Sequence, residues 1–250
     1  MTKIDYYVIS STGGRTINQD RADVFEAGGV HGFVVCDGVG GCRFGDVASK
    51  TVCEEFRKPF IEGAGSVDDC IEKGVDSAEA ALRALQQQAN DSRAYKSTLA
   101  ALLLSGDDVC TVHVGDSRIY HFADGRRLWR TTDHSLAQMM VMTGDIGPDE
   151  IRTCEDRSVL LHAMGSASET FRFQSSERKL EGSDYDAFVI CSDGFWEYVT
   201  GERMARLLEF GRRNLPEFTA RDWLSAMCAG MEPEAGNDNF TAIAVICDKR

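Results

Sequence analysis

Apolar residues follow two spacings along this chain, and the switches between them mark out its elements. Strand-length apolar runs cover residues 4–10, 23–26 and 32–36, punctuated by Gly13-Gly14 and Gly28-Gly29. Ala48, Val52, Phe56 and Phe60 then recur at helical spacing, with Asp46 positioned as an N-cap. Val67, Ile71, Val75, Ala78, Leu82 and Leu85 predict a second, longer helix, whose polar end Gln86-Gln87-Gln88 reads as a solvated face. Residues 99–104, 109–114 and 118–122 predict three strands joined by two short links. Links that short suit antiparallel neighbours, so a meander is expected. Residues 133–170 are of mixed character, with helical patches at 136–142 and 148–153; a mobile flap and a packed helical hairpin both fit. Strands at 171–175 and 187–191, helices at 202–211 and 221–229, and a closing strand at 241–247 complete the pattern. With no repeat or linker, the expectation is one α+β domain over residues 1–250, built from two strand-rich parts each followed by helices.

Composition narrows the function classes. A net charge of −13 argues against a nucleic-acid binder, which would want a basic face. It suits a protein that gathers carboxylates around metal ions, and equally a well-solvated surface. The nine cysteines include no C-x-x-C pair, and Cys36, Cys110, Cys191 and Cys247 lie inside apolar runs. Buried free thiols in a reducing compartment are the expectation. Lys3 and Asp5 break up the N-terminal apolar residues, so no signal peptide is read there, and no apolar run reaches bilayer length. A cytoplasmic protein without a membrane partner is expected.

Chemistry enters where strands end. The run Phe33-Val34-Val35-Cys36 stops on Asp37, followed by Gly38, Gly40 and Gly41. Glycines there let the backbone approach a ligand closely, and a carboxylate beside them suits a hard cation with oxygen ligands. One Asp-Gly after a strand is ordinarily a turn. The chain repeats the move, however: Asp116 follows 112–115, Asp193 follows 189–192, and Asp238 sits in Gly-Asn-Asp-Asn before the last strand. Asp20 precedes an early strand in the same manner. Five such carboxylates would repel one another if they converged, so convergence implies cations, with magnesium or manganese the natural choice. Zinc is disfavoured, because His31, His113, His121, His134 and His162 show no ligand spacing and read as structural or exposed.

Eight motifs then occur in order: Gly14-Arg15-x-x-Asn18-Gln19-Asp20; Cys36-Asp37-Gly38-Val39-Gly40-Gly41; Ser97-Thr98; His113-Val114-Gly115-Asp116-Ser117-Arg118; Thr132-Asp133-His134-Ser135; Ala163-Met164-Gly165; Cys191-Ser192-Asp193-Gly194-Phe195-Trp196; and Asp238-Asn239-Phe240-Thr241. Over nearly its whole length the chain resembles the metal-dependent protein serine/threonine phosphatases of type 2C, in their compact bacterial form. The resemblance implies a sandwich of two antiparallel β-sheets with helices on both outer faces. It implies two manganese or magnesium ions, with Asp37 bridging them and the Gly38 carbonyl on one. Asp193 and Asp238 would hold the other ion, and Asp116 with Asp193 a weaker third. Asp20 would orient metal-bound water from behind, and Arg15 would grip the substrate phosphate. Water activated between the two ions would attack phosphorus directly, with no protein nucleophile. Phosphorylated proteins are the implied substrates, a serine/threonine kinase the implied opponent, and a monomer the expected state.

Three positions depart from the family pattern. Val39 stands where animal members carry a histidine that serves the leaving group, Gln19 replaces a glutamate, and Lys96 replaces a glycine. Other phosphatase and nucleotide chemistries fit poorly. No cysteine begins a C-x5-R, no P-loop exists, and Asp184-Tyr185-Asp186 precedes a strand instead of following one. Arg43 occupies the third glycine position of a Rossmann fingerprint. The remaining alternative is a phosphatase-fold binding or regulatory module with a weak or inactive site, which would be expected to lose ligands that this chain keeps.

Overall fold

Two five-stranded antiparallel sheets pack face to face in the computed structural model, which describes residues 2–166, 172–231 and 238–249. One sheet joins β1 (Lys3–Ser11), β10 (Phe240–Asp248), β9 (Tyr185–Cys191), β6 (Arg118–Ala123) and β7 (Arg126–Arg130), in that order. The other joins β2 (Asp20–Ala27), β3 (Val30–Asp37), β4 (Leu99–Ser105), β5 (Asp108–Val114) and β8 (Gln174–Lys179). The helices α1 (Gly45–Glu62) and α2 (Val67–Ala89) cover the outer face of the second sheet, and α5 (Gly201–Asn214) and α6 (Ala220–Cys228) that of the first. The sandwich with helices outside is therefore as expected.

Burial on both faces explains why the central strands read as unbroken apolar runs. In β4, Leu99, Ala101 and Leu103 face the helices, while Ala100, Leu102 and Leu104 face the opposite sheet. In β10, Ala242, Ala244 and Ile246 face outward, while Ile243, Val245 and Cys247 fill the interior. A strand buried on both sides has no polar face to alternate with. Cys36, Cys110, Cys191 and Cys247 are buried and unbridged, as their apolar surroundings predict.

Several local expectations are corrected. The three strands 99–104, 109–114 and 118–122 do not form a meander. β5 pairs with β4 and β8, whereas β6 lies in the other sheet, between β9 and β7. The link at Gly115-Asp116-Ser117 carries the chain across the sandwich, and a three-residue link suffices because the layers touch there. β1 pairs along its full length with β10, so the first and last strands are neighbours in one sheet. Asp46 is not the N-cap of α1. Phe44 holds that place in the left-handed region (φ 66°), and Asp46 lies within the first turn, where its charge favours the helix dipole. Gln86 is buried, on the face of α2 that carries Leu82 one turn earlier; its Nε2 donates to the carbonyls of Ala94 (2.9 Å) and Gly165 (2.8 Å).

The edge strands were the hardest to read. β7 (Arg-Arg-Leu-Trp-Arg) gives little apolar signal, and β8 begins at Gln174, so the strand expected at 171–175 is displaced toward the C-terminus, its residue 171 lying outside the described residues. Within 133–166 the chain forms α3 (Leu136–Thr143) and a short 3-10 helix (Pro148–Thr153); residues 167–170 are outside the described set. A four-residue helix, α4 (Asp193–Trp196), follows β9 directly. Among the described residues no helix is long and apolar enough to cross a membrane.

Candidate metal centre

The strand ends meet at one end of the sandwich, around a pocket of about 630 Å³ whose lining includes Arg15, Asp37, Gly38, Asp116, Asp193 and Asp238. Asp20 lies beneath this floor, opposite Asp37 in the β2–β3 register.

Each carboxylate is set by hydrogen bonds at its own strand end. The Asp37 N–H donates to Thr98 Oγ1 (2.9 Å), and its carbonyl accepts from the Thr98 N–H (2.8 Å) and Ser97 Oγ (2.9 Å). Gly38 packs against the start of α1 so closely that a Cβ would stand 2.4 Å from the Gly45 carbonyl oxygen, so the position after Asp37 admits no side chain. Asp116 sits in the crossing between sheets. Its carbonyl accepts from Trp196 Nε1 (3.0 Å), and Gly115 before it takes φ 101°, with no room for a Cβ beside Thr98. Asp193 opens α4. Gly194 lets that helix touch the start of β10, since a Cβ there would lie 2.0 Å from the Asn239 carbonyl oxygen.

Asn239 organises the loop that carries Arg15. Its Nδ2 donates to the carbonyls of Thr12 (2.8 Å) and Ile17 (3.0 Å), and its Oδ1 accepts from the Gln19 N–H (2.8 Å). Arg15 grips Asp238 through two bonds, Nε to Oδ1 at 3.2 Å and Nη2 to Oδ2 at 3.1 Å. Two residues expected to do separate work are thus paired with each other here, and both remain half-exposed.

The electrostatics are those of uncompensated negative charge. Loss of water raises Asp37 well above the usual carboxylate range, and Asp20, Asp193 and Asp116 push it further. Asp116 is raised by burial and then by Asp193 and Asp133. Burial, Asp20 and Glu197 raise Asp193 to about 7, and burial takes Asp20 to about 6. Asp20 Oδ2 accepts from Ser192 Oγ at 2.7 Å, but its Oδ1 is buried without a partner. Carboxylates crowded in this way are stable as anions only beside cations, so the donor set fits a hard divalent ion. Among the described residues no three carboxylate, imidazole or thiol groups close around a single point. An ion here would draw on the Gly38 carbonyl and on water as well, as magnesium and manganese commonly do.

A family model described as protein phosphatase 2C matches residues 11–229. The chain belongs to the protein phosphatase 2C family. Among its relatives is the serine/threonine phosphatase stp of Listeria innocua, 26% identical over 240 residues, covering 91% of this chain and 89% of that one. The serine/threonine protein phosphatase PstP of Mycobacterium tuberculosis is 28% identical over 176 residues, covering 70% of this chain and 34% of that longer protein. Among solved structures, Stp1 from Staphylococcus aureus shares the fold at a TM-score of 0.82 and 24% identity, over 100% of this chain and 96% of that one. The catalytic domain of PstP in complex with two manganese ions aligns at a TM-score of 0.77 and 22% identity, covering all of both chains.

Measured against this phosphatase family, the pocket contains residues that the sequence pattern did not single out. Arg157 and Glu197 both line it, joined by a bond of 2.6 Å from Arg157 Nε to Glu197 Oε1. Neither lies in a motif or an apolar rhythm. Asn239 and Trp196 did lie in motifs, yet their clamping roles are visible only once the loops they hold are folded.

Proposed function

We propose that this chain is a metal-dependent phosphatase that hydrolyses phosphoserine and phosphothreonine in proteins, opposing a serine/threonine kinase. The observation that carries the reading is the meeting of Asp37, Asp116, Asp193, Asp238 and Arg15 around one pocket. Relatives named as serine/threonine phosphatases support it. Asp37 would lie between two manganese or magnesium ions, with the Gly38 carbonyl on one and Asp193 and Asp238 on the other. Asp116 and Asp193 would hold a weaker third. Bound there, such ions supply the Lewis-acid charge that makes water nucleophilic near neutral pH.

The chain's own groups do the remaining work. Arg15 presents a planar fork, and the geometry that now accepts the two oxygens of Asp238 is equally suited to two oxygens of a phosphate. Arg15 would exchange one for the other, neutralising charge that builds on the phosphoryl oxygens. The unpartnered Oδ1 of Asp20 offers an acceptor for a water proton at the pocket floor. Val39 lines the pocket and has no proton to give, so this position cannot serve the leaving oxygen as an acid.

Phosphate release from matched phosphoserine, phosphothreonine and phosphotyrosine peptides, with manganese and with chelator, tests the reading. Release from the first two, abolished by chelator and by Asp193→Asn, is expected. Well-folded protein that releases phosphate from neither would overturn it and leave a binding module.

A further inference from the structure

In a chain of net charge −13, a second recess of about 430 Å³ gathers four guanidinium groups, those of Arg118, Arg127, Arg130 and Arg152. It shares no lining residue with the acidic pocket and lies behind Trp196, over whose ring Arg118 stacks at 3.4 Å. From this recess we infer a second binding site, one for a phosphate group, outside the catalytic pocket.

The charge balance is positive. Asp133 is shared by two of the arginines: Arg118 holds it through Nε (2.8 Å) and Nη2 (2.5 Å), and Arg130 adds a bond from Nη1 at 3.2 Å. Arg127 pairs with Glu202 at 3.0 Å, on the open rim. Arg152 gives Nη2 to the carbonyl oxygen of Glu197 at 2.5 Å, a dipole and not a charge. Asp149 is the remaining carboxylate of the lining, so four guanidiniums face three carboxylates: Asp133, Asp149 and Glu202. Burial, and then the neighbouring Arg118, hold Arg130 below its usual value, as crowding among cations requires.

The backbone adds to the attraction. The first backbone bond of α5 runs from the Met204 N–H to the Thr200 carbonyl, so the N–H groups of Gly201 and Glu202 lie ahead of the helix ladder, at its positive end. Gly201 is also what lets Arg127 lie over that helix start: a Cβ would stand 2.6 Å from Arg127 Nη1. Planar forks around a recess of this size match the oxygens of a phosphate dianion better than a single carboxylate. Arg118 is fully engaged and forms the floor. Arg127, exposed and held by an exposed carboxylate, and Arg152, partly buried and held by a carbonyl, are the arms free to turn onto a ligand.

The phosphate could be inorganic or could belong to a phosphorylated protein side chain. Calorimetric titration of the magnesium-loaded protein with inorganic phosphate tests the site directly. The double variant Arg127→Ala/Arg152→Ala, altered only at partly exposed side chains, should stay folded and turn over p-nitrophenyl phosphate as before. It should lose one of two binding events, by about tenfold or more in affinity, as expected for removing charge-assisted hydrogen bonds. Arg15→Ala should spare that event. If the double variant also loses a preference for a doubly over a singly phosphorylated peptide, the phosphate is a substrate's; if peptide kinetics do not change, it is the free ion. A phosphate titration unchanged in the double variant overturns the inference, whatever the peptides do. The binding arm does not depend on catalysis, so an inactive protein would still decide it.

Discussion

Two groups of buried aspartates show opposite chemistry. Asp133 and Asp186 are both buried, and both are fully partnered. Asp133 lies between Arg118 and Arg130, and Asp186 accepts from His121 Nε2 (2.7 Å) and from the N–H groups of Glu181 and Gly182 (3.0 Å each). Burial alone would raise Asp186, but those hydrogen bonds outweigh it and hold the carboxyl below its usual value. Around the pocket, Asp20, Asp37, Asp116 and Asp193 crowd one another, and all four are raised. Burial by itself does not mark a functional carboxylate. Burial without a compensating donor or cation does, because nothing in the fold offsets the cost of the charge.

The comparison is tested most severely by removing one carboxylate from each group. Asp37→Asn should lower manganese-dependent phosphate release by at least about a hundredfold, beyond the usual effect of residues that only orient a metal ligand. Chelated protein should keep its fold, since a repulsive charge has been removed; activity near wild type would break the assignment. Asp133→Ala should do the reverse and act through stability. It leaves Arg118 buried without its carboxylate, so a loss of about 3–5 kcal/mol in urea unfolding is expected. A loss of only a few tenths would show that the paired group is not structural.

Asp238 lies between the two classes, being a pocket aspartate whose partner is a guanidinium. Arg15→Ala should raise KM for a phosphopeptide by about tenfold, with a smaller fall in kcat, because a charge-assisted contact to phosphate exists in ground and transition states alike. An unchanged KM would mean that Arg15 serves Asp238 alone.

The smallest effect is in the pH dependence of the metal-free protein. Asp20 and Asp193, at about 6 and about 7, bind protons in the folded state that the unfolded chain, with carboxyls near 3.8, has released. Their contribution is therefore favourable at low pH and is lost as pH rises through about 4 to 7. His134, lowered by burial to about 4, acts in the opposite sense over about 4 to 6.5, so the readout must be a difference. In chelator, wild type should lose more stability than Asp193→Asn between about pH 5 and pH 8, and magnesium should restore it. Parallel curves would mean that the crowding does not cost stability.

Much of this was legible in the sequence because it is written in local terms. Strands buried on both faces must be apolar throughout, so β3, β4, β9 and β10 announce themselves, and the aspartates that end or precede them stand out by contrast. Gly38 and Gly194 could be noticed, though only the approach of Gly45 and Asn239 shows why no other residue fits. The edge strands β7 and β8 were obscure, since an element half in water need not be apolar.

Layer and partnership belong to the tertiary structure. Nothing in Gly115-Asp116-Ser117 distinguishes a hairpin from a crossing between sheets, because a short link restricts distance and not the layer in which the next strand lies. Asp133 and Asp37 look alike as letters, each an aspartate within one of the eight motifs. One meets two arginines and the other meets three aspartates, and those neighbours lie from 3 to 156 residues away along the chain. The sequence determined which residues would be carboxylates at strand ends. Only folding decided which of them would be neutralised and which left waiting for a cation, since charge compensation depends on distances that no local pattern contains.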